Sequence, residues 1–222
     1  NTDTMKKLNI LAGILLTSAL TIVTSCNDLD LSPISNYNAG SFYKTQGDFK
    51  LAVNGIYDKL QDLYYYNVMP QFLEGRSDNV TCDTGYDAGT ASRFIDDATT
   101  GATKAMWQYL YQMIDRCNAV IDQIDDGTFT NEDYRKYYKG EAYFMRGYAY
   151  FQLGFLFGGV PLIDKQMKVS EIAQIARSTQ DETFNFAATD LTQAASLLPG
   201  TWPSSSDLGK ATKYAAEGIL AR

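Results

Sequence analysis

Apolar residues recur every three or four positions along most of this chain, and this spacing is the period of an amphipathic α-helix. The first such stretch predicts a helix from about Gly47 to Tyr66, preceded by capping-box spacing at Thr45–Asp48 with aspartate replacing the usual glutamate or glutamine. A second stripe runs from Met106 to Ile124, and Gly127 supplies a stop. The stripes consist of Phe49, Ala52, Val53, Ile56, Leu60 and Leu63, and of Met106, Leu110, Met113, Ile114, Cys117, Ile121 and Ile124.

Two more helices are predicted further along the chain. A cap at Thr130–Asp133 begins a stripe that continues to Leu156, where Gly158–Pro161 breaks it. Because few residues separate this helix from the one before it, we expect the two to form an antiparallel hairpin. A capping box at Thr179–Glu182 then begins a helix that runs to Leu198.

The last predicted helix begins at Thr212 and runs to Arg222. Its end carries neither a cap nor a glycine, and the sequence offers no packing partner for its apolar residues, which are Ala215, Ala216, Ile219 and Leu220. We therefore expect the chain to be a fragment of a longer protein.

The region from Asn67 to Gly101 differs from the rest, because it is rich in glycine, aspartate and threonine and has no sustained period. It is predicted to be a long loop, and loops of this length are often functional. No stretch alternates with period two for long, which argues against strands. The sequence predicts an all-α fold of tetratricopeptide-like helical hairpins with long irregular loops, although the repeat length is not regular.

The start of the chain has the features of a secretory signal peptide. The basic pair Lys6-Lys7 precedes an apolar run from Leu8 to Val23, and Thr-Ser follows just before Cys26. The run is short and contains polar residues, whereas a membrane span needs about 20 apolar residues. The cysteine resembles that of the bacterial lipobox, in which the thiol is acylated and becomes the mature N-terminus. The alternative is an ordinary signal peptide with a cysteine there by chance.

These features divide the chain into three parts. Residues 1–25 form a lipoprotein signal peptide, with Met5 as the expected start. Residues 26–44 form the lipidated N-terminus and an extended tether, and residues 45–222 form the helical domain. Stable anchoring takes more than one acyl chain, and a lipoprotein carries several.

Composition excludes several classes of function. The net charge is −7, and removal of residues 1–25 reduces the basic residues from 19 to 17 and the acidic ones from 26 to 25. Such an acidic surface disfavours nucleic acid and anionic lipid headgroups as partners. The sequence contains no histidine, the commonest general base and zinc ligand. We therefore expect no metal, no other cofactor and no catalysis of the Ser-His-Asp kind.

Two cysteines remain beyond the leader, Cys82 and Cys117. In an oxidising compartment they can form a disulfide, but a single pair does not make a disulfide framework. The position of Cys117 on the apolar stripe of its helix favours a place in the core instead.

Five motifs follow one another in a fixed order. They are the opening Cys26–Pro33, a W-x3-Y-x2-I-x3-N pattern at Trp107, Tyr111, Ile114 and Asn118, the block Gly140–Leu162, and the segments Asp190–Pro199 and Gly209–Arg222. Together they resemble the N-terminal portion of the SusD/RagB family, starch-utilisation-type surface lipoproteins of Bacteroidetes. Within the block, Met145 and Gly147 replace the leucine and alanine of the family pattern.

The resemblance implies a function as well as a fold. It implies a protein that captures an extracellular glycan and delivers it to a SusC-like TonB-dependent transporter in the outer membrane. The acidic residues after Cys26 resemble an export signal that places the body outside the cell. Peptide capture, as in the RagB branch, is the alternative on the same scaffold.

Three motif residues have structural interpretations. Glu141 and Arg146 lie on one predicted helix, and we expect them to form a network with charges on the neighbouring hairpin. Trp107 lies near the start of an apolar stripe, and we expect it in the core rather than on a sugar-binding surface.

Candidate ligand-binding residues lie in the predicted loop between Asn67 and Gly101. A sugar needs an aromatic face for its C–H side and planar polar groups for its hydroxyls. The loop supplies this mixture with Arg76, Asp78, Asn79, Asp83, Tyr86, Asp87 and Arg93. A solvated surface, or a face docked on a partner, is the competing interpretation of the same residues.

Two other classes of function stay open. A surface glycosidase needs two carboxylates placed on either side of a sugar bond. A structural helical-repeat adaptor needs no ligand at all.

Overall fold

The computed structural model of this chain describes residues 42–65, 68–79 and 87–222. The predicted leader, Cys26 and most of the tether lie outside the described residues, as do Cys82, Asp83 and Tyr86. The described elements all belong to one unit, Phe42–Arg222.

The described residues form helices, which are numbered here in chain order. They are α1 (Gln46–Tyr65), α2 (Val68–Leu73), α3 (Asp87–Ser92), α4 (Gly101–Gln123), α5 (Glu132–Phe157), α6 (Val169–Ile172), α7 (Gln180–Leu197) and α8 (Lys213–Leu220). Short 3-10 turns occur at Ile124–Asp126 and Ser205–Asp207. These ranges contain no strand, only an isolated bridge between Thr45 and Thr128. The predicted all-α fold class is confirmed.

The caps predicted from the sequence are present. The Asp48 carboxylate accepts from the Thr45 amide at 2.8 Å, and the Asp48 amide donates to Thr45 Oγ1 at 3.3 Å. Asn131 caps α5 by accepting from the Asp133 amide. Gly158 ends α5 with a φ of 74°, a left-handed conformation that glycine adopts without strain.

The predicted loop between Asn67 and Gly101 differs from the structure, because α2 and α3 interrupt it. Each has only 6 residues, so its apolar positions cannot repeat often enough to show a helical period. Pro70 lies in the first turn of α2, where a helix tolerates proline. Helix α4 also begins earlier than its stripe predicted, at Gly101.

The main core lies among α1, α4 and α5. Its largest fully buried side chains include Phe49 of α1, Leu110 of α4 and Tyr150 of α5. Cys117 is a free thiol with no exposed surface in this core, which confirms the predicted core position. Burial raises the pKa of this thiol well above its usual range, so it stays protonated and apolar in character.

A second core connects α7 with α8. Leu191 and Ala194 of α7 pack with Trp202 and with the fully buried Ala216 of α8. The Thr212 side chain caps α8 by accepting from the Ala215 amide at 3.3 Å. The expectation that the apolar residues of α8 have no partner is therefore wrong for Ala216 and for Ile219, which packs against the same core.

Helix α5 packs on α7 through a row of glycines. Gly140, Gly147 and Gly154 recur every seven residues, which is close to two helical turns and therefore one face. A Cβ at Gly147 would lie 2.9 Å from Leu191 Cγ, and one at Gly154 would lie 2.9 Å from the Phe184 ring. The missing side chains allow the close approach of α7.

None of the helices in the described ranges combines the length and the apolar character needed to cross a membrane.

Candidate functional site

The predicted ligand-binding residues lie on and around α2 and α3. Arg76, Asp78, Asn79 and Arg93 have described side chains, Asp87 is the first residue of α3, and Asp83 and Tyr86 lie outside the described residues.

Arg76 forms a two-bonded ion pair with Asp96, a residue that sequence reasoning missed. Its Nη2 atom lies 2.9 Å and 2.8 Å from the two carboxylate oxygens. The side chains are 27% and 10% exposed, so the pair lies at the edge of solvent. Charge-assisted hydrogen bonds of this kind are roughly twice as strong as those between neutral groups. The pair thereby connects the turn after α2 to the segment that follows α3.

Phe94 projects from this segment. Its side chain is 69% exposed, its ring lies 5.7 Å from the Arg76 guanidinium, and Ile95 beside it is 59% exposed. The φ of Phe94 is 55°, which is unusual for a bulky residue. Such conformations cost about 1–3 kcal/mol and cluster at binding sites. Two backbone hydrogen bonds hold this turn in place. The Phe94 amide donates to the Ala91 carbonyl and the Ile95 amide donates to the Thr90 carbonyl, both at 3.1 Å.

The other predicted residues are arranged more loosely. Arg93 Nε donates to the Gly89 carbonyl at 2.8 Å, so this arginine closes the end of α3. Asp78 and Asn79 are exposed in the turn after Arg76. The structure thus brings together Arg76, Phe94 and Asp96, which are called the Phe94 site below. The sequence signal for this site was Phe94 itself, an aromatic residue in a predicted polar loop that directly follows the candidate Arg93.

A second aromatic surface lies on α4. Trp107 is half-buried, so the core position predicted for it is only partly correct. Its ring packs against the core and also borders two surface cavities of about 530 and 460 Å³.

The buried charge network predicted for α5 is present at Arg146. Its guanidinium donates to both Asp190 oxygens of α7, at 2.7 and 2.8 Å, and to Asn118 Oδ1 of α4 at 2.7 Å. Burial raises the pKa of Asp190, against the opposing effect of Arg146. Asn118 in turn donates to the carbonyls of Ile163 and Lys165. The network fixes the connection after α5 and leaves Arg146 no role at the surface.

Glu141 has a different set of neighbours from Arg146. Its fully buried carboxylate lies 3.8 Å from Lys210 Nζ, which also lies 3.1 Å from Asp207. The ammonium is near the rings of Tyr138 and Trp202, at 5.2 and 5.1 Å. Burial raises the pKa of Glu141 to about 7, although Lys210 and the Tyr57 hydroxyl oppose the rise.

No group of three or more Cys, Asp or Glu side chains in the described ranges is arranged to hold a metal ion.

These observations define a class of protein: a scaffold of packed helical hairpins that presents aromatic side chains next to planar polar groups at its surface. The chain belongs to the SusD-like family. The family model described as "Starch-binding associating with outer membrane" matches residues 29–222.

Individual relatives agree with this assignment. A SusD-like protein of Formosa agariphila is 32% identical over 98% of this chain and 44% of its own length. A SusD-like protein of Bacteroides ovatus is 26% identical over 94% of this chain and 38% of its own length. The chain thus spans less than half the length of these relatives.

Solved structures share the fold. A SusD superfamily protein from Bacteroides vulgatus has a TM-score of 0.67 and 30% identity over 81% of this chain and 39% of its own. A laminarin-binding SusD-like protein has a TM-score of 0.72 over 80% of this chain and 39% of its own, and at 23% identity it shows the fold alone.

Proposed function

We propose that the protein is a cell-surface lipoprotein that captures glycans and delivers them to a SusC-like TonB-dependent transporter in the outer membrane. The family match over residues 29–222 supports this proposal. Cys26 would carry the acyl chains that anchor the N-terminus in outer-membrane lipid, with the body facing the cell exterior.

The Phe94 site is the observation that supports a glycan as the ligand. The exposed Phe94 ring offers a face for the C–H side of a sugar, as aromatic residues do for apolar groups in general. Arg76 and Asp96 beside it offer planar donors and acceptors for hydroxyls. The other predicted residues of the same region, which are Asp78, Asn79, Asp83, Tyr86, Asp87 and Arg93, are proposed as further contacts.

Binding without bond cleavage fits these groups best. Glycoside hydrolysis needs an acid and a second carboxylate on either side of the sugar bond. Both Asp96 oxygens already accept hydrogen bonds from Arg76, so this carboxylate is not free to act on a sugar bond. We therefore propose that the protein is not an enzyme.

Substitution of Phe94 tests the proposal. Phe94→Ala should weaken glycan binding about tenfold, because the stacking contact is lost. Mobility of the purified full chain in native gels cast with laminarin, starch or other glycans measures the change. Phe155→Ala is the matched control, since Phe155 on α5 is 63% exposed and borders a cavity formed with α7 and α8, which contains no residue of the Phe94 site.

Three results would contradict the proposal. Equal retardation of Phe94→Ala and the native chain by a glycan would refute the Phe94 site. Release of reducing sugar by the native chain would indicate a glycosidase. Retention on a peptide library but on no glycan would favour the peptide-capture alternative.

A further inference from the structure

The exposed edge of α4 carries a second surface with the chemistry of a sugar-binding site. The rings of Trp107 and Tyr111 lie side by side, with centroids 4.9 Å apart, between the two surface cavities. On one side the lining is mainly aliphatic, from Ile114, Met167, Val169 and Ile172. On the other side it is polar, from Gln108, Gln112, Asp115 and Arg116.

Contacts with α5 and with the segment that follows it hold the rings of Trp107 and Tyr111 in place. Trp107 packs edge-on against Phe157 of α5, with centroids 5.3 Å apart and planes at 85°. The Tyr111 hydroxyl donates to the Pro161 carbonyl at 2.8 Å. Because neither ring has to be ordered on binding, a ligand that stacks on them loses less free energy to side-chain entropy.

The polar side is held in position by α1. Gln112 Oε1 accepts from Lys59 Nζ at 3.1 Å, which turns its amide oxygen toward α1. Arg116 Nη1 donates to the Gly55 carbonyl and, at 3.3 Å, to the Asp58 carboxylate. An amide and a guanidinium fixed in this way differ from ordinary surface side chains, which sample many rotamers.

The polar residues recur at intervals of three and four along α4, so they share one face. Gln108 and Arg116 are eight positions apart, which is about 12 Å along a helix axis. A row of this length suits several linked sugar rings better than a single ring.

We propose that this α4 surface binds a stretch of uncharged glycan, with a sugar ring stacked on Trp107 and hydroxyls bonded to Gln108, Gln112 and Asp115. This inference rests on the proposed function and extends it by a second contact site and by the class of glycan. The exposed Asp115 and the net charge of −7 repel polyanions, and Arg116 is already paired with Asp58.

The small number of tryptophans makes the test direct. The chain has 2, and Trp202 is buried in the second core, where its Nε1 donates to the Ala211 carbonyl. In a Trp202→Phe variant the emission comes from Trp107 alone. Addition of laminarin or starch should shift that emission and protect it from acrylamide, whereas alginate or another uronic acid polymer should do neither.

Substitutions assign the contacts. Trp107→Ala should weaken retention on the neutral glycan about tenfold. Gln108→Ala and Asp115→Ala, which alter exposed side chains, should weaken it without affecting the fold, as checked by circular dichroism. Gln193→Ala, an exposed glutamine on α7, is the matched control and should bind like the native chain.

The outcomes separate this inference from the proposed function. If the native chain binds a glycan and all three α4 variants bind it equally well, the α4 site is refuted and the proposed function stands. Preferential binding of the uronic acid polymer would refute the uncharged class. If the native chain binds no glycan, the proposed function and this inference fail together.

Discussion

Two buried acid–base groups lie five positions apart on α5, yet they have separate partners. Arg146 pairs with Asp190 of α7, whereas Glu141 lies near Lys210 in the connection before α8. Breaking a buried pair by removing one partner costs about 3–5 kcal/mol, whereas an exposed pair such as Lys136–Asp133 contributes about 0–1 kcal/mol. The few buried pairs therefore matter more for stability than the ion pairs at the surface.

Glu141 makes the stability of the protein depend on pH. Its pKa is about 7 when folded against an ordinary value of 4.5, so between these pH values the folded state binds a proton that the unfolded state lacks. The free energy of unfolding should therefore fall as pH rises through this window, by about 3 kcal/mol from this group. Glu141→Gln should remove that part of the slope in urea unfolding at pH 5, 6, 7 and 8.

The exposed Glu217 on α8 supplies the control. Glu217→Gln should keep the pH dependence of the native chain. An equal slope in Glu141→Gln and the native chain would show that burial of Glu141 is not its source.

At the scale of elements, glycines decide how closely α5 and its following turn approach α7. Gly159 lies directly against the backbone at the start of α7. A Cβ there would lie 2.8 Å from the carbonyl carbons of Ser178 and Thr179, and closer still to the Ser178 oxygen. Backbone atoms cannot turn aside as a flexible side chain can, so the two segments would have to separate.

Gly159→Ala should therefore lower the free energy of unfolding by at least about 2 kcal/mol. Gly218→Ala is the control, because this exposed glycine of α8 has no atom near its Cβ position. It should raise stability by up to about 1 kcal/mol through helix propensity. Thermal or urea unfolding measures both, and equal stability of the two variants would contradict the packing argument.

At the scale of the whole molecule, two of the aromatic surfaces in the described part, the Phe94 site and the α4 surface, are the proposed glycan contacts. Both combine an aromatic ring with planar polar groups. The proposed capture of glycans at the cell surface also requires the anchor, which the sequence predicts at Cys26 outside the described residues.

Cys26→Ala should abolish the incorporation of radiolabelled palmitate and release the protein from the membrane fraction, because the thiol at the lipobox position is lost. Cys117→Ala is the matched control, since its thiol is buried in the core and should not affect labelling. Failure of the native chain to take up the label would refute the lipid anchor, as would labelling of Cys26→Ala.

The long helices, their caps and the core stripe could be predicted from the sequence because each depends on residues at most a few positions apart. The box at Thr179–Glu182 and the stop at Gly158 are such cases. The short helices α2 and α3 were missed because six residues hold too little of a repeating pattern.

The candidate site could be predicted only in part. Of the residues in the Phe94 site, Arg76 was a candidate because its residue type suits a sugar, but Phe94 and Asp96 were not. The half-buried Trp107 was expected in the core, since a stripe of apolar positions does not show which side of a ring a neighbouring helix leaves uncovered.

The sequence by itself determined the long helices, the likeness to SusD-like proteins and the acidic, histidine-free chemistry, because these are local or compositional properties. Only the tertiary structure decided that Asp96 lies against Arg76 and Lys210 near Glu141. Such contacts join residues far apart along the chain. These contacts form only when the helices pack together, and the spacing of residues along the sequence does not show how the helices pack.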